Sequence, residues 1–223
     1  MDFEEGHTFM EQAQEAMWLY EKFTQKFDDI EKFKPRDLLS FVRRILEVLE
    51  INYYSDTWIN TKCEEFNIYC QTRERAGVII VKRGNKECLI VKNHDQYECF
   101  PKGSVKRNET TMECAIRETL EETGYDCKQT ITSAIRIENS VKNMNHYLHW
   151  ETYYVILNFD GEFKFSPKDK DEIISCRWIS INKIPDSKKA KDELRNRIKF
   201  KIDFFFVKKL KQITQQNSRK MNS

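Results

Sequence analysis

Paired cysteines are missing from this sequence. Its seven cysteines (63, 70, 88, 99, 114, 127 and 176) include no C-x-x-C pair and no zinc-ligand spacing, and their odd number argues against a disulfide framework. Free thiols in a reducing compartment are the expectation. Residues 7–70 contain no glycine and a single proline, Pro35, so little interrupts a helix there. No apolar run approaches membrane-spanning length, and the acidic start MDFEEGHTF lacks the apolar core of a signal peptide. A cytoplasmic protein without a membrane partner is expected. Internal repeats are also absent. The 223 residues suffice for one large domain or two small ones, with a real core.

The net charge of +2 conceals an asymmetry. From Ser187 onward twelve Lys and Arg face only three acids, Asp192, Glu193 and Asp203. Residues 1–186 hold the remaining 26 bases and 33 acids. An acidic body with a basic end suits a polyanion approached at that end.

The pattern predicts helices over roughly 7–28, 36–53 and 56–69, with Pro35 at the start of the second and Ser55 or Asp56 capping the third. Phe9, Ala13, Ala16, Met17, Tyr20, Phe23 and Phe27 form the apolar stripe of the first helix. Trp18 points about 160° from the centre of that stripe. It packs on a neighbouring domain or serves as a platform for a base. The polar run 71–76 reads as a hinge. Gly77–Val81 and Cys88–Val91 flank a turn as a hairpin, and Ile131–Glu138, His149–Phe159 and Ile173–Ile179 read as further strands. Strands around one acidic helix make the fold α+β. A helix is expected over Ser187–Leu210, with Leu194, Ile198, Ile202, Phe205 (or Phe206) and Leu210 as its apolar stripe, and residues 212–223 as a disordered tail.

The chemistry concentrates in Gly103–Tyr125, GSVKRNETTMECAIRETLEETGY. Asn108 or Thr110 can cap a helix here, Glu113 completes a capping box from Thr110, and Gly124 ends the helix. Glu118, Glu121 and Glu122 then fall at i, i+3 and i+4 on one face. Three carboxylates on one face repel unless a cation sits among them. A hard divalent ion, Mg²⁺ or Mn²⁺, is the natural partner, and it would in turn hold a diphosphate. A solvated acidic face is the plainer reading, but it leaves Gly103, Glu109, Arg117 and Gly124 at their spacings unexplained.

Those residues resemble a Nudix box, which implies an α/β/α sandwich and hydrolysis of a nucleoside diphosphate linked to a second group. The flanks narrow the likeness. Phe100-Pro101-Lys102-Gly103 before the box, Cys114–Cys127 within and after it, and Arg75–Ile80 resemble the Nudix mRNA-decapping enzymes more than small-nucleotide hydrolases. Glu15–Tyr20, EAMWLY, resembles the part of that family's helical regulatory domain whose tryptophan stacks on the methylated cap base. The resemblance implies domains at 1–70 (regulatory), 77–186 (hydrolase) and 187–211 (basic RNA-binding helix), the two lobes closing about the 71–76 hinge. Two packing positions of the box depart from the family, Thr119 and Tyr125.

The resemblance also assigns roles. Glu118, Glu121, Glu122 and the carbonyl of Gly103 would hold the metal. Glu172 would be the general base with Glu122 as competitor, and Glu121 completes the catalytic set. Glu109, Arg117 and Gly124 would be structural, Arg117 orienting a glutamate. Lys102, Lys208, Lys209 and Lys211 would contact RNA. Trp18 would stack on the cap, but Lys22 stands where the family has an aspartate and cannot accept a hydrogen bond. Glu21 is the expected substitute, with Glu15 and Glu11 as others. Ser104 replaces a usual lysine. The family's long Pro-rich extension has no counterpart in the sequence, so recruitment through such a tail is not expected. An activator subunit on the helical domain and a location in cytoplasmic P-bodies are further implications. The competing readings are a hydrolase of free dinucleotides or inositol pyrophosphates, and a silent RNA-binding module.

Overall fold

A computed structural model describes residues 3–24, 37–84, 86–143, 145–160, 164–168, 170, 172–188 and 199–221. The chain divides into two compact units, Met1–Gln71 and Thr72–Ser223. The first is helical: α1 (Phe3–Thr24), α2 (Leu38–Val48) and α3 (Asp56–Thr72). Met10, Ala13, Val42, Leu46, Ile59 and Phe66 form its core. The buried line on α1 keeps Phe9 and Ala13 of the expected stripe but adds Met10 and leaves Ala16 exposed. The second helix starts later than expected. Asp37 caps it, accepting the Ser40 amide at 2.8 Å, and Pro35 lies outside the described residues. It also ends sooner, because Glu50 turns to φ 55° and Ile51 N–H closes on the Leu46 carbonyl at 2.8 Å. Ser55 caps α3 through the Trp58 amide at 3.1 Å.

The second unit is built on one mixed sheet. Its strands are β1 (Arg75–Lys82), β2 (Glu87–Asn93), β3 (Tyr97–Cys99), β4 (Lys102–Ser104), β5 (Ile135–Lys142), β6 (Leu148–Phe159), β7 (Ile173–Ser180) and β8 (Lys199–Phe200). Among the described residues two helices, α4 (Thr111–Thr123) and α5 (Phe204–Met221), pack on it. The order is β5-β6-β1-β2-β3-β8, with β4 paired to β1 and β7 to β2. β1 lies parallel to β6 and antiparallel to β2 and β4. It is buried on both faces, which is why its sequence is apolar without alternation. Ile79 and Val81 pack in one core with Tyr153, Phe206 and Leu210; Ala76, Val78 and Ile80 pack in another with Cys114 and Ala115. Helix α5 covers the first core and α4 the second.

Several elements differ from the expectation. Ile131–Ser133 is a 3-10 turn, and the strand begins at Ile135. The polar run at 71–76 narrows to Arg73 and Glu74 between α3 and β1, and both are tied to Val105, by the Arg73 side chain and the Glu74 carbonyl at 2.9 Å each. Part of the expected basic helix is instead strand β8, parallel to β3. Leu194, Ile198, Arg195 and Arg197 lie outside the described residues. The stretch expected to be a disordered tail is helical to Met221, because Leu210, Ile213 and Thr214 keep its inner face against the sheet. Phe206 is the buried phenylalanine of that helix, edge-on to Tyr153 at 4.7 Å.

Phe206→Ala should therefore cost about 3–5 kcal/mol in urea unfolding. A loss under about 0.5 kcal/mol, the size of an ordinary surface change, would show that α5 is not part of the core.

Candidate active site

Helix α4 presents the acids because both its ends are fixed. Thr110 accepts the Glu113 amide at 3.2 Å while Glu113 accepts the Thr110 amide at 2.8 Å. Gly124, at φ 75°, closes the other end on the Leu120 carbonyl at 2.9 Å. A Cβ there would meet the Ser166 carbonyl oxygen at 2.5 Å, so both conformation and space require glycine. The two departures at packing positions are accommodated. The buried Thr119 hydroxyl donates to the Ala115 carbonyl at 2.6 Å, and Tyr125 packs edge-on to Phe159 at 5.3 Å.

The cation among the acids is Arg117. Its guanidinium forks onto Glu109 at 2.7 and 2.9 Å, then reaches Glu118 at 2.5 Å, Glu121 at 3.1 Å and the Ser104 carbonyl at 3.1 Å. Charge and geometry are matched, since Arg alone offers donors in that fork. Burial pulls the Glu109 carboxyl up, yet the Arg117 bonds and the Lys106 amide bring it below its usual value. Hydrogen bonding to Glu109 first, then the charge of Glu118, raises Arg117.

Glu118 and Glu122 are held against the β4 backbone. Glu118 lies so close to Gly103 that a Cβ there would meet its carboxyl carbon at 2.0 Å. The Lys102 amide donates to Glu122 at 3.0 Å, and Glu122 is only 4% exposed. Burial raises the Glu118 carboxyl despite Arg117, and Glu121 and Glu172 push it further. Burial raises Glu122 well above the usual value of 4.5, followed by the charges of Glu118 and Glu172. Glu172, exposed just before β7, thus acts electrostatically on both. Among the described residues no three His, Cys, Asp or Glu side chains converge closely enough to form a ready metal shell. The donor chemistry nonetheless fits a hard divalent cation: oxygen ligands only, among them the buried Glu122 and the part-buried Glu118, two mutually repelling carboxylates. The Gly103 carbonyl meanwhile accepts the Cys114 thiol at 3.6 Å.

A profile described as NUDIX domain matches residues 71–199. The chain belongs to the Nudix family. Members of that family typically use a divalent metal. Among curated proteins, the chain is 27% identical over 86% of its length to mRNA decapping complex subunit 2 of Schizosaccharomyces pombe. It is 23% identical over 77% to the m7GpppN-mRNA hydrolase of Saccharomyces cerevisiae, and 27% identical over 75% to mRNA-decapping enzyme subunit 2 of Arabidopsis thaliana. The chain spans 26%, 17% and 43% of those three proteins. Among solved structures, a C. elegans Ap4A hydrolase aligns over 56% of this chain and 93% of its own, with 20% identity and a TM-score of 0.45.

Not every expected ligand of this Nudix site is available. Lys102, expected to touch RNA, is 12% exposed and engaged by the carboxylate of Glu151. Glu151 is also bonded by buried His149 at 3.1 Å and by the Tyr153 hydroxyl at 3.4 Å. Burial alone would raise Glu151, but the Lys102 charge and the His149 bond lower it to about 2. Lys211 is bonded to Asp186 at 2.7 Å. Lys208 and Lys209 are exposed. On the helical unit Trp18 is 45% exposed, Glu21 is half-buried, Glu15 is exposed, and Glu11 accepts the Tyr69 hydroxyl at 3.4 Å. The Lys102–Glu151–His149 network escaped sequence reasoning, although a signal existed. His149, Glu151 and Tyr153 alternate along a strong β-former run, so three titratable groups share one face of the strand.

Because the folded state raises Glu118 and Glu122, ionising them costs stability, and stability should fall as pH rises above their usual 4.5. Glu122→Gln should therefore raise the thermal midpoint at neutral pH in EDTA and show no gain below pH 4.5; a gain independent of pH would refute the charge explanation. Glu151 has the opposite sign. Its stabilisation is present above 4.5 and lost as pH falls toward about 2. Glu151→Gln should cost about 3–5 kcal/mol at neutral pH in urea unfolding, since it strands a buried ammonium.

Proposed function

We propose that this chain hydrolyses the 5′ cap of mRNA, releasing 7-methylguanosine diphosphate and 5′-monophosphate RNA, with Mg²⁺ or Mn²⁺ at the acidic face of α4. One observation carries the reading. The likeness to a decapping-complex subunit covers 86% of the chain, far more than the catalytic residues 71–199, so it extends into the helical unit. A hydrolase of small free nucleotides has no need of such a unit, nor of an exposed Trp18 upon it.

In this reading Glu118, Glu121 and Glu122, with the Gly103 carbonyl, hold the metal. The chemistry supplied by the bound cation is polarisation of a phosphoryl oxygen and neutralisation of developing charge. The chain's own groups do the rest. Arg117 keeps Glu118 and Glu121 aimed while its fork stays on Glu109. A water forms a new P–O bond as the bridging P–O bond breaks, and its proton passes to Glu172 or Glu122. The exposure of Glu172 suits it to reach a bound water. Trp18 stacks on the methylated base, Glu21 accepts its N–H groups in place of the aspartate, and Lys208 and Lys209 contact RNA. The Schizosaccharomyces pombe relative is a subunit of an mRNA decapping complex by name, and a partner subunit on the helical unit belongs to the same proposal.

Cap-labelled RNA with Mg²⁺ or Mn²⁺ tests this directly. Labelled 7-methylguanosine diphosphate should appear with the wild type. Glu122→Gln should lower the rate by at least about 100-fold, the scale of a lost general base, and Trp18→Ala should lower it by about tenfold, the scale of one lost stacking contact. Equal activity on free dinucleotide, indifferent to Trp18, would make the chain a small-nucleotide hydrolase. RNA binding without hydrolysis of either substrate would make it a silent binding module.

A further inference from the structure

The hairpin turn after β1, the 3-10 turn Ile181–Lys183 and the C-terminal half of α5 enclose a cavity of about 300 Å³. Its walls carry Lys86, Asn182, Lys211, Gln215 and Arg219. Gly84 lines it with φ 89°, and apart from its chain neighbours no atom lies within 4 Å of where its Cβ would be.

The lining is cationic beyond what local pairing explains. Lys211 is bonded to Asp186 at 2.7 Å, but Lys86 and Arg219 are exposed and have no carboxylate at ion-pair distance among the described residues. Two like charges delivered by separate segments to one cavity repel each other, a cost that a bound dianion reverses. The uncharged groups fit the same ligand. Asn182 and Gln215 each offer an amide N–H pair, whereas the Thr214 and Ser218 hydroxyls are committed to the Leu210 and Thr214 carbonyls at 3.0 and 2.9 Å. We propose that this cavity is a phosphate-binding site. It is separate from the acidic site, because Gly103 pairs with Ala76, and Lys82 at the far end of β1 lies six residue steps, about 20 Å, beyond Ala76.

The phosphate has two possible sources. One is the backbone of an RNA strand already held by the exposed lysines of α5, which rests on the function proposed above. The other is a free compact phosphate such as pyrophosphate. Titration in EDTA distinguishes them, with an uncapped 5′-monophosphate oligouridylate followed by fluorescence anisotropy and inorganic pyrophosphate by calorimetry. Without divalent cation neither probe is drawn to the acidic face. The double variant Lys86→Met, Arg219→Gln should weaken oligonucleotide binding about tenfold and reduce the slope of log K against log salt by about 1.4, two phosphate contacts at about 0.7 each. The charge-conserving variant Lys86→Arg, with Arg219 native, should retain wild-type affinity. Loss of pyrophosphate binding in the double variant assigns a free phosphate; loss confined to the oligonucleotide assigns the strand. Unchanged affinity for both probes, or no binding of either by the wild type, overturns the site. Neither titration involves a cap, so binding here without cap hydrolysis would refute only the decapping reading.

Discussion

Packing an acidic helix face against a strand backbone is the constraint on which the rest of the catalytic unit depends. Helix α4 cannot approach β4 unless something offsets the negative charge it brings. Arg117 does so from within the same helix, gripping Glu109 with its fork and reaching Glu118 and Glu121 at its edge. The offset is incomplete. Glu118 stays above its usual value and Glu122 well above it, an energetic debit of the kind that sites for cations and protons carry.

The same approach dictates features far from the acids. Gly103 has no side chain because the Glu118 carboxylate occupies that space, and Gly77 has none because the Pro101 carbonyl oxygen would lie 2.0 Å from its Cβ. The Lys102 amide bonds Glu122, and its ammonium reaches past β1 to Glu151 on strand β6. β1, between β4 and β6, ties both registers together: Ala76 faces Gly103 on one side and Thr152 on the other. A shift of one residue would turn Glu151 away from Lys102 and strand a charge in the core.

Local signals in the sequence carried well. The capping box, the left-handed Gly124, the hairpin around Gly84 and the long strand β6 follow from residues within a few positions of one another. Where the outcome turned on distant neighbours, pattern failed. Met10 rather than Ala16 lies inside because α2 and α3 decide which face of α1 is covered. Ile131–Ser133 has a strand-like composition but turns as a 3-10 segment beneath β6. The polar C-terminal residues are helical because a sheet happens to cover their Ile213 and Thr214 face.

By itself the sequence determined the acidic helix, its caps, the spacing of its three glutamates and membership of the Nudix family, since each depends on backbone periodicity and short-range hydrogen bonds. Tertiary structure alone decided which partner each charge takes. Lys102 meets Glu151 across 49 positions, Arg177 meets Glu98 across 79, and Lys211 meets Asp186 across 25. Long side chains can reach many partners, and only the register of strands and the packing of α5 select among them. For that reason four lysines that looked alike in the sequence divide into two held by carboxylates, Lys102 and Lys211, and two exposed on α5, Lys208 and Lys209.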